Sequence, residues 1–190
     1  MNKKNINIYI ESSPNPNSLK FIVNFILVPE GETYYFTGPK DANKAPLARK
    51  LFNFKYIERV FYMNNFITIT KFKNFKWNDI KDKIKNFIKS YLEKNKPLLL
   101  ENKIKKNETE KEDNEIIYKI KSILNEYIKP VVEQDGGAIT FHSFEKGILK
   151  VMLQGSCRGC PSASITLKYG IENIIKKIIP EVKSVTSEEF

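Results

Sequence analysis

Fourteen consecutive residues just past the middle of the chain, Glu101 to Asn114, hold nine charged side chains and no apolar stripe. A stretch that cannot bury an apolar face cannot join a packed core. It reads as a solvated, flexible tether, and Pro97 ahead of it breaks the preceding helical pattern. The 190-residue chain is thereby divided. Whatever folds must fold as two small α+β domains, residues 1–96 and 115–190, with the charged linker 97–114 between them. The run Leu98-Leu99-Leu100 is expected to pack on the first domain.

The first domain alternates apolar and polar residues at Ile6, Ile8 and Ile10, the mark of a half-buried strand. Ser12-Ser13-Pro14-Asn15-Pro16-Asn17-Ser18 follows as a turn-rich loop, because its prolines forbid regular structure. Leu19 to Asn24 resumes strand character. Tyr34, Tyr35 and Phe36 fall in a loop punctuated by Gly31 and Gly38-Pro39. Ala45 to Phe52 reads as a short helix with Pro46 in its first turn. Residues 57–62 and 66–70 read as a hairpin turning at Asn64-Asn65. Ile80, Ile84, Phe87, Ile88 and Tyr91 recur at helical spacing through residues 77–92. No cysteine, histidine or carboxylate cluster accompanies these elements.

The second domain reads α-β-β-α-β. A helical stripe from Ile116 to Ile128 is expected to end near Pro130. Asp135-Gly136-Gly137 is a turn leading into a strand at 138–144, and Glu145-Lys146-Gly147 reverses the chain. In the next strand Leu149, Val151 and Leu153 alternate with Lys150, Met152 and Gln154. Beyond the loop that follows, a helix is expected to start at Pro161-Ser162 and run to Pro180. A last strand is expected around Val182 to Val185.

Between that strand and that helix stand the only two cysteines of the chain, in Gly155-Ser156-Cys157-Arg158-Gly159-Cys160. Their spacing lets both thiols point at one atom. A helix start beside Cys160 would offer free N–H groups and partial positive charge, so the thiol pKa is expected to fall. Gly155 and Gly159 allow close backbone approach, and Arg158 adds charge. Four readings are open. A thioredoxin-like redox pair would follow an early strand of a β-α-β unit, whereas here a helix and a hairpin come first. A structural zinc site needs four ligands, and the chain offers Cys157, Cys160 and at best His142, a histidine expected on the polar face of a strand. Incidental cysteines leave the glycines and the helix start unexplained. An iron–sulfur cluster takes four thiolates, which two copies of the chain would supply from an exposed, shared site.

Asp135-Gly136-Gly137, Gln154 to Ser162, Thr166-Leu167-Lys168-Tyr169-Gly170-Ile171-Glu172 and Ile179-Pro180-Glu181-Val182 closely resemble the C-terminal domain of the NifU-like (Nfu-type) iron–sulfur cluster carriers. Pro14 to Phe21, Ala45-Pro46-Leu47-Ala48, Val60-Phe61, Phe66 to Lys71 and Trp77 resemble the N-terminal domain found in many of them. The resemblance implies a non-enzymatic scaffold that holds a [4Fe–4S] or [2Fe–2S] cluster on Cys157 and Cys160, shared by a homodimer. It implies an upstream cluster donor and apo iron–sulfur proteins as recipients. The rival reading is a thiol–disulfide oxidoreductase using the same pair.

The formal charge of +10 lies in the first hundred residues, which carry 18 basic and 8 acidic side chains. Arginine is scarce, and this is read as a solvated lysine surface with no nucleic-acid partner. No run of eighteen apolar residues exists to cross a membrane. The start of the sequence has neither a signal core nor a transit segment, so a cytoplasmic home is expected. A mitochondrial or plastid one would follow if a leader had been removed.

Overall fold

Ile8, Phe21, Val23, Val60, Ile67 and Ile69 all lie at or below 4% exposure, and each comes from a strand of one sheet. The computed structural model describes residues 5–100, 115–160 and 168–188. The chain divides into two compact units, Met1–Asn102 and Lys103–Phe190. The charged stretch 101–114 and the expected helix start at Pro161-Ser162 lie outside the described residues.

The first unit contains β1 (Ile8–Ser12), β2 (Ser18–Val23), β3 (Thr33–Phe36), α1 (Pro46–Leu51), β4 (Ile57–Met63), β5 (Phe66–Lys71) and α2 (Trp77–Glu93). The strands form one antiparallel sheet in the order β1-β2-β5-β4-β3. Asn64, at the β4–β5 turn, takes a positive φ of 45°, a conformation asparagine tolerates better than most residues. Helix α2 buries Ile80, Ile84, Ile88, Tyr91 and Leu92. Ile84 and Ile88 are fully buried, each contributing about 2 kcal/mol by area. Leu98 and Leu99 pack against this core, and the Leu100 N–H donates to the Lys44 carbonyl. One strand departs from the sequence reading. Thr33–Phe36, expected as loop, pairs with β4 at the sheet edge. Four residues with only Phe36 buried leave little alternation to read.

The second unit contains α3 (Glu115–Ile123), a π-helical turn (Leu124–Ile128), α4 (Lys129–Gln134), β6 (Gly137–Glu145), β7 (Ile148–Gly155), α5 (Lys168–Ile178) and β8 (Ser184–Glu188). The sheet order is β6-β7-β8, antiparallel between β6 and β7 and parallel between β7 and β8. A parallel neighbour requires a crossover, and the crossover here carries both the cysteine loop and α5. The first helix does not stop near Pro130 as the sequence reading has it, but runs on to Gln134. Pro130 lies in the first turn of α4, and the Lys129 N–H reaches back five residues to the Leu124 carbonyl. A wider π-turn makes room for a ring that an ordinary α-turn would exclude. Ile120, Ile139, Leu149, Val151, Ile175 and Val185 anchor the core, and Cys157 belongs to it.

Candidate functional site

Strand β7 ends at Gly155, which pairs with Gly137 at the start of β6. Gly155 has a φ of 65° and Gly159 a φ of 68°, so the backbone leaves the strand and turns through Ser156–Gly159 in the left-handed region that glycine enters without steric cost. The neighbouring end of α4 is stopped in the same way. The Asp135 N–H donates to the Val131 carbonyl, and Gly136 takes a φ of 84°, the usual helix-ending glycine. Asp135-Gly136 is turn chemistry, as read from the sequence.

Ser156 joins the two pieces. Its N–H donates to the Gly136 carbonyl at 3.2 Å, and its Oγ donates to the Asp135 carbonyl at 2.6 Å. The residue is buried. A buried hydroxyl with a carbonyl partner holds the loop to the helix end. The sequence reading missed Ser156, because a serine between a glycine and a cysteine carries no signal of its partner twenty residues away.

Gly137 is the second missed residue. Its φ is unremarkable, and what it supplies is space. A Cβ there would sit 2.6 Å from Cys157 Sγ and 2.8 Å from the Gln154 carbonyl oxygen. No other residue fits between the cysteine and the strand without moving one of them. The doubled glycine in Asp135-Gly136-Gly137 was the available sign. Its first member serves the turn and its second makes room for the thiol.

Both cysteines are free thiols. Cys157 is 6% exposed and Cys160 2%, so the exposed site expected from the sequence is corrected to a buried pair. The cause is packing, since Cys157 sits among the core side chains of this unit. The helix start beside Cys160, on which the expected fall in thiol pKa rested, lies outside the described residues, and at Cys157 the shift is upward. Burial pushes the Cys157 thiol up to about 11, with Asp135 and Cys160 adding to the rise and the Ser156 hydroxyl at 3.9 Å opposing it. Desolvation penalises the thiolate more than one hydroxyl can offset.

His142 is not brought to the cysteines. It stands at a bulge of β6, and its Nε2 lies 3.1 Å from Glu188, which also holds Lys150 Nζ at 2.6 Å. Among the described residues no group of three or more His, Cys, Asp or Glu side chains converges as a metal shell. One chain therefore offers two sulfur ligands at one loop, on a strand end shaped around them by glycine.

The fold and this loop define a protein of two small α+β units, the second presenting a Cys-x-x-Cys pair where a β-hairpin leads into a crossover. The family described as Scaffold protein Nfu/NifU N terminal matches residues 8–95, and that described as NifU-like domain matches residues 120–186. A human protein named NFU1 iron-sulfur cluster scaffold homolog, mitochondrial, is 40% identical over 179 residues, covering 94% of this chain and 70% of that protein. The protein of the same name from Drosophila grimshawi is 39% identical over 179 residues, covering 94% of this chain and 60% of the relative. The chain spans 65% of the length of the Drosophila persimilis relative. A solution NMR structure of a NifU-like protein from Saccharomyces cerevisiae aligns with a TM-score of 0.47 at 24% identity, over 54% of this chain and 92% of that one. The chain belongs to the NifU-like, Nfu-type family. Among the described residues no helix is long and apolar enough to cross a membrane.

Proposed function

We propose that this chain is an iron–sulfur cluster scaffold and carrier, with Cys157 and Cys160 holding half of a [4Fe–4S] cluster and a second copy holding the rest. The observation that carries the reading is one loop bearing the chain's only two cysteines, hinged by Gly155 and Gly159 and cleared by Gly137. Four thiolates are wanted and each chain brings two. A twofold pair of chains meets the count with no further residue. The relatives' names, which carry the words iron-sulfur cluster scaffold, point the same way.

The chemistry follows from the thiols. Each must give up its proton as a sulfur–iron bond forms, so loading releases protons. The buried Cys157 thiol at about 11 holds its proton at neutral pH until iron displaces it. Delivery runs by exchange. A recipient thiol loses its proton and bonds to iron while one carrier sulfur leaves and takes a proton up, and the step repeats until the carrier is free. The cluster is cargo, so no turnover of a small substrate is involved. An upstream scaffold supplies it and apo iron–sulfur proteins receive it. The domain at 1–96 recruits partners, and the stretch 97–114 tethers it to the cluster domain at 115–190. The protein works where thiols stay reduced, in the cytosol of the sequence reading or the mitochondrion of the relatives' names. A thiol–disulfide oxidoreductase pair would follow an early strand of a β-α-β unit, whereas here the pair follows a helix and a hairpin.

Anaerobic reconstitution with iron and sulfide tests the proposal. It should give broad visible absorption, about two irons and two sulfides per chain, and a dimer by size-exclusion chromatography that a chelator returns to monomers. A complete cluster on a monomer would show that outside thiols fill the shell, and the bridging model would fall.

A further inference from the structure

Helix α2 carries Trp77, Lys81, Lys85 and Lys89 at a strict spacing of four, and all four are half-buried along one flank. Successive cations on such a row stand about 6 Å apart along the axis. Like charges at this spacing repel. Among the described residues none of the three lysines has a carboxylate within 4 Å, although Asp79, Asp82 and Glu93 lie exposed on the same helix. Asp82 and Glu93 stand three residues before Lys85 and four after Lys89, and neither closes an ion pair with the row.

The row continues past the start of the helix. Trp77 Nε1 donates to the Pro16 carbonyl at 3.0 Å, and its ring lies 5.7 Å from Lys71 Nζ. Lys71 is only 5% exposed, and its ammonium donates to Asn17 Oδ1 at 2.9 Å. An ammonium has three protons to give, and among the described residues this one meets a single acceptor, an uncharged amide. Burial lowers its pKa, as expected for a cation without an anionic partner.

From this band the geometry points to a docking face for a helix of a partner protein that carries Asp or Glu at every fourth position. Charge complementarity selects the occupant. The first hundred residues carry 18 basic against 8 acidic side chains, and a matched row of carboxylates would meet Lys81, Lys85 and Lys89 in register. Two features favour discrete carboxylates over a phosphate backbone. Asp82 and Glu93 border the lysine flank and interrupt it for a continuous polyanion. The Trp77 ring is already engaged by Lys71, so it is not a free platform for a base. The inference does not depend on the cluster reading, because no cysteine enters it.

The test uses the full-length, metal-free chain and a fluorescein-labelled helical peptide with glutamate at four positions spaced four apart, read by anisotropy. Binding should weaken as salt rises. The triple variant K81E/K85E/K89E should lose about tenfold or more in affinity. A control with the same charge change in the second unit, K129E/K146E/K177E, should bind within about twofold of the wild type. Lys71→Met, with folding checked by circular dichroism, should lose several-fold. The inference is overturned if the wild type does not bind the peptide, if the row variant binds as well as the wild type, or if the control loses as much as the row variant. Tighter binding of an oligothymidylate or of anionic phosphatidylserine vesicles than of the peptide would overturn it too, in favour of a nucleic acid or a membrane surface.

Discussion

Two loops, one in each unit, follow a strand and turn through residues that would otherwise have no place in a sheet. The Pro14–Asn17 loop turns its polar groups on its own surroundings. Asn15 is buried, its Oδ1 accepts from the Asn17 N–H, and its carbonyl accepts from the Ser18 N–H. Asn17 and Pro16 are held in turn by Lys71 and Trp77. In the Ser156–Cys160 loop, Ser156 grips Asp135 and Gly136, and Cys157 packs in the core of its unit. The difference separates a loop built for shape from one built for chemistry. Asparagine side chains satisfy backbone groups, while thiols donate and accept weakly and can turn toward a better partner at small cost.

The sharpest way to break this contrast is to remove a thiol. Cys157→Ser or Cys160→Ser should abolish stable cluster loading, scored by iron and sulfide content, while the metal-free fold survives by circular dichroism. A single mutant that keeps a full cluster would mean the ligand count is wrong.

Next in size is Gly137→Ala. The added methyl must displace Cys157 Sγ or the Gln154 carbonyl. The second unit should lose about 1–3 kcal/mol, the usual cost of overpacking, and loading should fall several-fold. Urea unfolding and iron content measure the two effects. Unchanged loading would show that the thiol has no need of the space.

Asn15→Ala should act on the other loop alone. It leaves the Asn17 N–H without its buried acceptor, at about 1–3 kcal/mol, visible as a lower urea midpoint. Cluster loading should stay as in the wild type. If loading fell with it, the two loops would not be as independent as their hydrogen bonds make them.

The smallest effect is expected from Glu188→Gln. Lys150 beside Glu188 holds its carboxyl below the usual range. A depressed carboxylate pKa stabilises above the unfolded value and loses that contribution as pH falls through the folded one. The variant should therefore melt slightly below the wild type at neutral pH, and the gap should close below about pH 4. Loading should be unaffected. A change in loading would bring His142, the other neighbour of Glu188, back toward the site.

Much of this was legible in the residues. The cysteine pair, its strand, the glycine turns and the helical stripe of α2 all follow from spacing and composition, which local geometry obeys. What escaped depends on partners distant in sequence. Ser156 matters because Asp135 ends a helix beside it, and Gly137 because β6 returns against Cys157. The rise at Cys157 was hidden for the same reason. A motif shows the nearby charge of Arg158 but not the core that closes over Cys157. Helix α4 outran Pro130 because a π-turn, which no periodicity announces, absorbed the ring.

The parallel pairing of β7 with β8 bears on how the molecule is made. Ile148 meets Ser184 and Met152 meets Glu188, so this pairing forms only once the crossover between the two strands has closed. Cys157 shares its core with Val182 and Val185, and until those arrive its thiol has only part of its cover. Non-local pairings form late because the loop between them must close first. Until β8 docks, Cys157 lacks the part of its cover that Val182 and Val185 supply. A newly made chain meets iron, oxidants and other thiols first in that less covered form.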